Sequence, residues 1–146
     1  MNVNDTLLIH ELRRDEGVRY EPYLDTVKVW TIGVGHNMQA RPLPKTWTIP
    51  LSDDQVDFLL AQDLVSVFDD LDRKLPWWRD LSYARQRVCA NMCFNLGING
   101  LLTFKNTLAA IHSGRYQDAA NGMLASKWAT QVGDRAKRLA AMMVKG

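Results

Sequence analysis

The chain has 146 residues, with 18 Lys/Arg against 16 Asp/Glu and a formal net charge of +2, a length that suits one compact domain with a sound core. Apolar residues make up 47% and charged residues 23%, which excludes a disordered chain. No run approaches the roughly 18 apolar residues of a membrane span, so no stable membrane association is expected.

Residues 5–16 read as an amphipathic helix, because Leu8, Leu12 and Glu16 are spaced i, i+4, i+8 on one face. Gly17 follows at once as a left-handed C′ residue, which makes Glu16 the last residue of the helix and partly buried. Burial and the negative end of the helix both disfavour its anion, which suits a proton-donating carboxyl. Residues 22–34 read as a short hairpin in which Trp30, Ile32 and Val34 share one face and Thr31 points to the other. Asp25 lies in its polar turn, Leu24-Asp25-Thr26-Val27-Lys28, where water favours the anion. The run Thr31-Ile32-Gly33-Val34-Gly35-His36 mixes β-branched residues with two glycines, the pattern of a strand bending where backbone closely approaches another group. It is no phosphate loop, lacking Gly-x-Gly-x-x-Gly and a following Lys-Ser/Thr pair. Residues 37–50 hold Pro42, Pro44 and Pro50 without helical period and read as a loop.

Ser52-Asp53-Asp54-Gln55 is a capping box that opens a long helix over 52–75. Val56, Leu59, Leu60, Leu64, Val67, Phe68, Leu71 and Leu75 form its apolar stripe, and Pro76 stops it. Ser82 caps a helix that runs to Leu96 and ends at Gly97, with Val88, Cys89, Met92, Cys93 and Leu96 as its buried face. Shorter helices follow near 101–112, 116–125 and 134–143, separated by Gly114 and Gly133. The fold class is therefore α+β and predominantly helical. Cys89 and Cys93, four apart on one helical stretch, would close almost no loop as a disulfide and are too few for a structural zinc site. They read as small buried thiols. Charge is uneven: residues 1–76 carry 8 Lys/Arg against 13 Asp/Glu (−5), and residues 77–146 carry 10 against 3 (+7). A basic half and an acidic half suit a cleft that receives an anionic polymer.

Glycoside hydrolysis needs an acid for the leaving oxygen and a carboxylate for the oxocarbenium-like centre or its attacking water. Glu16 and Asp25 are carboxyls in contrasting environments, the pattern that separates acid from base, and Thr31 offers a hydroxyl to a water. No cofactor and no metal site are expected.

At these residues the sequence resembles the phage-type lysozymes. The likeness includes Asp15-Glu16-Gly17, Tyr23-Leu24-Asp25-Thr26, the run from Thr31 to His36 and Gln62-Asp63. It continues through residues 91–97, from Asn91 to Gly97, and 103–107, from Thr103 to Thr107. Ala119-Ala120, Ser126-Lys127-Trp128 and Arg135-Ala136-Lys137-Arg138 complete it. The resemblance implies hydrolysis of the β-1,4 bond between N-acetylmuramic acid and N-acetylglucosamine in peptidoglycan. Glu16 would be the general acid, Asp25 the general base or electrostatic partner, and Thr31 the residue that helps position water. It implies a lysozyme-like two-lobe fold: a small β-hairpin lobe over about 15–51, a connecting helix over about 52–75, and a helical lobe over about 76–146 that includes the N-terminal helix. Phe94, Asn95, Phe104 and Thr107 match positions lining the sugar cleft. Asn37 falls where an apolar cleft residue is usual, Gly122 falls where many members place an Asn, and Arg135 matches an Arg facing the catalytic Glu. By analogy His36 pairs with Asp63. Thr31 beside Asp25 argues for an inverting mechanism.

The N-terminus, Met1-Asn2-Val3-Asn4-Asp5, has no basic segment followed by an apolar core, so no signal peptide is expected. The resemblance then implies an endolysin, a monomer made in the host cytoplasm, that reaches the periplasmic wall through a holin pore. A lytic transglycosylase of related fold would need neither Asp25 nor Thr31. A non-catalytic peptidoglycan-binding module would need none of the three. The basic C-terminal helix is the only feature suggesting a nucleic-acid binder, and no recognition motif accompanies it, so no nucleic-acid partner is expected.

Overall fold

Asp5 caps the first helix, α1 (Thr6–Glu16), by accepting from the Leu8 N–H at 2.9 Å. The computed structural model describes residues 1–146. It shows an α+β fold of seven α-helices and one three-stranded antiparallel sheet, in two compact units: residues 2–66, and residues 67–146 with Met1. In this division α1 groups with the sheet. The Arg13–Asp57 ion pair at 2.9 Å joins α1 to the start of the helix that follows the sheet.

In the first unit, β1 (Arg19–Leu24), β2 (Trp30–Gly33) and β3 (His36–Asn37) form the sheet in the order β1-β2-β3. β1 starts three residues before the expected hairpin and carries an irregularity between Arg19 and Tyr23. The two-residue β3 was not foreseen. The expected alternation along β2 also fails: Trp30 is 47% exposed, while Thr31, Ile32 and Val34 are all buried. Trp30 opposes Leu24, itself 50% exposed, at the open tip of the hairpin, and Thr31 opposes both Tyr23 and Asn37 in the central strand. Residues on both sides of β2 are buried, so exposure does not follow the strand's alternation here. Residues 38–52 contain no helix, as expected.

The capping box forms as read: the Ser52 N–H donates to Gln55 Oε1 at 2.9 Å, and the Gln55 N–H donates to Ser52 Oγ at 3.2 Å. It opens α2 (Asp53–Lys74), and all eight residues of the apolar stripe are buried. Each such side chain contributes roughly 1.5–3 kcal/mol by leaving water, which outweighs the ~1 kcal/mol of the cap.

In the second unit, Ser82 accepts from the Arg85 N–H and opens α3 (Tyr83–Leu102), which breaks at Gly97, where φ is 72° and ψ 161°. α4 (Lys105–His112), α5 (Tyr116–Ala125), α6 (Lys127–Val132) and α7 (Asp134–Lys145) follow. α5 packs against α4 and α7, and α7 also packs on α3 and α6. The six-residue α6 was missed because it is too short to show a period; Ser126 starts it by accepting from the Ala129 N–H at 3.2 Å. Cys89 and Cys93 are free and buried, and burial foremost pushes both thiols up to about 12. No helix is long and apolar enough to cross a membrane.

Candidate functional site

Glu16 is the last residue of α1, half-buried, and Gly17 turns the chain away at φ 75° while donating its N–H to the Arg13 carbonyl at 3.0 Å. With ψ at 168°, Gly17 takes a positive-φ extended conformation rather than the left-handed helical one expected. The Glu16 carboxyl lies against the backbone of Gly35: a Cβ at that position would sit 2.7 Å from Oε1. The glycine-rich run therefore bends beside a carboxyl, which identifies the group that the sequence pattern left unnamed.

Asp25 is held by its own turn. Its Oδ1 accepts the N–H groups of Val27 (2.9 Å) and Val29 (2.8 Å), and its N–H donates to the Val29 carbonyl at 3.0 Å. One carboxylate oxygen is thus tied into the turn, and Oδ2 is the oxygen outside it. Thr31 is 5% exposed, and its Oγ1 donates to the Val29 carbonyl at 2.9 Å. With its proton used there, the hydroxyl can offer only lone pairs to a third group.

Tyr23 is the register partner of Thr31 across β1 and β2. Its phenol is raised above the usual range first by burial and then by the negative charges of Glu16 and Asp25, with Arg19 opposing. The Arg19 guanidinium lies 4.7 Å from the centre of its ring. Both carboxyls therefore act on one phenol that stands opposite Thr31. Sequence reasoning quoted Tyr23 only as part of a motif; its place two residues before Asp25 on a strand facing Thr31 was the available signal.

His36 is 1% exposed, with Nδ1 2.7 Å from Asp63 Oδ2 and Nε2 2.8 Å from the Arg41 carbonyl. Burial is the largest single influence and opposes the imidazolium. The hydrogen bond to Asp63, its charge and the Arg41 carbonyl together outweigh burial and raise the His36 pKa. Asn37 is exposed, and its Oδ1 accepts the N–H groups of Gln39 and Ala40 at 2.9 Å each, so its carbonyl is spent on a turn.

The second unit holds a groove of about 690 Å³. Phe104 and Thr107 line it, with Leu96, Lys105, Gly122, Ser126, Lys127, Trp128 and Gln131 among the others. Phe94 and Asn95 are not in its wall. Asn95 reaches it indirectly, since its Oδ1 accepts the Trp128 Nε1–H at 2.6 Å, and Phe104 meets Trp128 edge-on with ring centres 6.0 Å apart. Trp128, quoted from sequence only as part of a motif, is thus also a wall of the groove. Gly122 allows Thr107 its place: a Cβ at 122 would lie 2.5 Å from Thr107 Oγ1. Arg135 is 6% exposed and its Nε donates to Asn91 Oδ1 at 2.9 Å, with Asn91 itself fully buried. It is an internal Arg of α7.

Comparison with known proteins extends this picture. The family described as phage lysozyme matches residues 13–143. Among curated relatives, the pre-baseplate central spike protein Gp5 of Enterobacteria phage T4 is 27% identical over 155 residues, covering 92% of this chain and 27% of that protein. Probable T4-type lysozymes 1 and 2 of Dictyostelium discoideum are each 26% identical over 157 residues, covering 92% of this chain and 92% of each of them. The chain therefore spans about a quarter of the spike protein's length and nearly the whole of the Dictyostelium proteins.

Proposed function

The chain belongs to the phage lysozyme family, and from that premise we propose that it hydrolyses peptidoglycan at the β-1,4 bond between N-acetylmuramic acid and N-acetylglucosamine. The observation that carries this reading is geometric: the Glu16 carboxyl lies against Gly35 of the Thr31–His36 run, and Asp25 and Thr31 both bond to the backbone of Val29. A carboxyl at the end of α1, a second in the β1–β2 turn and a buried hydroxyl on β2 are the parts that acid-assisted glycoside hydrolysis requires.

In this mechanism Glu16 gives its proton to the glycosidic oxygen as the bond to C1 of the muramic acid breaks. A water attacks C1, and Asp25 Oδ2 takes the proton that the water loses. Because Thr31 Oγ1 already donates to Val29, a water beside it must donate to Thr31, which turns the water's own lone pair outwards for attack. A separately held water favours inversion over a covalent glycosyl intermediate. Phe104 and Thr107 in the groove wall, with Phe94 and Asn95 nearby in sequence, supply aromatic faces for sugar CH groups and polar atoms for the hydroxyl rims. Asn37 and Arg135 remain substrate-side candidates. No cofactor enters the reaction. The endolysin role belongs to the same reading: a monomer, made in the cytoplasm, released to the wall through a holin pore. Expression inside a Gram-negative host should leave cells intact until the inner membrane is permeabilised.

Product chemistry tests the proposal. Purified sacculi treated with the protein should yield reducing N-acetylmuramic ends, with the α-anomer formed first in proton NMR. A β-anomer formed first would refute inversion, and 1,6-anhydro ends would replace hydrolysis with transglycosylation.

A further inference from the structure

The two glycines of the Thr31–His36 run face different surroundings. Gly33, at φ 66°, would place a Cβ 3.7–4.0 Å from the side chains of Val56 and Leu59, an ordinary packing distance. Gly35, at φ 61°, would place one 2.7 Å from Glu16 Oε1, 3.1 Å from Cδ and 3.3 Å from Cγ. The Glu16 carboxyl thus occupies the space that any other residue at position 35 would fill.

The Gly35 backbone is also held from behind. The next residue, His36, is pinned by Asp63 at 2.7 Å and by the Arg41 carbonyl at 2.8 Å, and it pairs with Ile32 across β2 and β3. On the helix side, the neighbouring Asp15 side chain is fully buried and bonded to Arg14 Nε at 3.0 Å. Of the atoms a Cβ at 35 would meet, all three nearest belong to the Glu16 side chain, so a residue larger than glycine displaces that carboxyl.

We propose that Gly35, anchored through His36 and Asp63, is a positioning residue: its bare backbone is the wall that sets where the Glu16 carboxyl stands. This rests on the reading of Glu16 as the general acid. The consequence is a separation of stability from turnover. An alanine at 33 or 35 suffers the same positive-φ strain, but only the one at 35 moves the acid.

The test compares Gly35→Ala, Gly33→Ala, Glu16→Asp and the Gly35→Ala/Glu16→Asp double variant, by thermal unfolding and by kcat and KM on purified sacculi. Both alanine variants should lose similar amounts of Tm. Gly35→Ala should lose about 100-fold in kcat, the scale of a 1 Å misplacement, with KM little changed, while Gly33→Ala keeps its kcat. Adding Gly35→Ala to Glu16→Asp, whose carboxyl is one carbon further back, should cost much less than adding it to the unsubstituted protein. Equal kcat for the two alanine variants, or full additivity in the double variant, would overturn the proposal. Should Gly35→Ala not fold, Asp63→Asn loosens the same wall without adding an atom: a fall in kcat at constant KM supports the proposal and an unchanged kcat overturns it. Glu16→Gln separates the two levels. If it is inactive while Gly35→Ala is fully active, the positioning role alone fails; if it retains turnover, the assignment of the acid fails.

Discussion

Within residues 2–66 the polar side chains assigned to catalysis are oriented largely by nearby backbone, whereas the groove within residues 67–146 is walled by side chains far apart in sequence. Asp25 takes its two N–H bonds from residues two and four positions on, and Thr31 donates two positions back. Leu96, Phe104, Thr107, Gly122 and Trp128, by contrast, come from α3, the α3–α4 connection, α4, α5 and α6. A site built locally keeps its geometry as long as its turn survives. A wall built from several helices depends on the packing of all of them. Substitutions should therefore separate activity from stability in the first unit more cleanly than in the second.

The largest effect expected from this contrast is at Asp25. Asparagine keeps an oxygen for the Val27 and Val29 N–H groups and loses the charge, so Asp25→Asn should lower turnover roughly 10²–10⁴-fold with an almost unchanged Tm. Asp25→Ala should lower Tm as well. If both variants unfold alike, local orientation is the wrong description of this turn.

A smaller effect concerns the His36–Asp63 pair and its pH dependence. The pKa of His36 is raised in the folded protein, so the pair's contribution is fully present below the unfolded value of about 6.5 and disappears as pH rises through the raised folded value. Urea unfolding should show an advantage over Asp63→Asn of about 1–3 kcal/mol at acidic pH, shrinking once His36 is neutral. An advantage that grows with pH would reverse the sign and refute the assignment.

The smallest effect is expected in the groove. Trp128→Phe removes the indole N–H that Asn95 accepts but keeps an aromatic ring beside Phe104. It should cost about 0.5–1.5 kcal/mol of stability and raise KM modestly without changing kcat. A large kcat loss there would make the groove more than a binding wall.

What the sequence disclosed follows the same division. The capping box at Ser52, the α2 stripe and the break at Gly97 are short-range or strictly periodic, and each was legible. So was the polar turn at Asp25. The unpaired Gly-x-Gly spacing announced a close approach but not its target, because α1 and the β2–β3 turn meet only in three dimensions. β3 and α6 were too short to show a pattern. The exposure of Trp30 and the burial of Thr31 were not legible, because alternation gives the side a residue faces and not what covers that side. The bond that holds Arg135 inside was not legible, because its buried partner Asn91 lies 44 positions away.

The most direct test is mass spectrometry of fragments released from purified sacculi by the unsubstituted protein and by Glu16→Gln, with circular dichroism confirming that both are folded. The account predicts muropeptides with intact reducing muramic acid ends from the first and essentially none from the second. Comparable release by the two proteins, or fragments cut at peptide bonds, would contradict it.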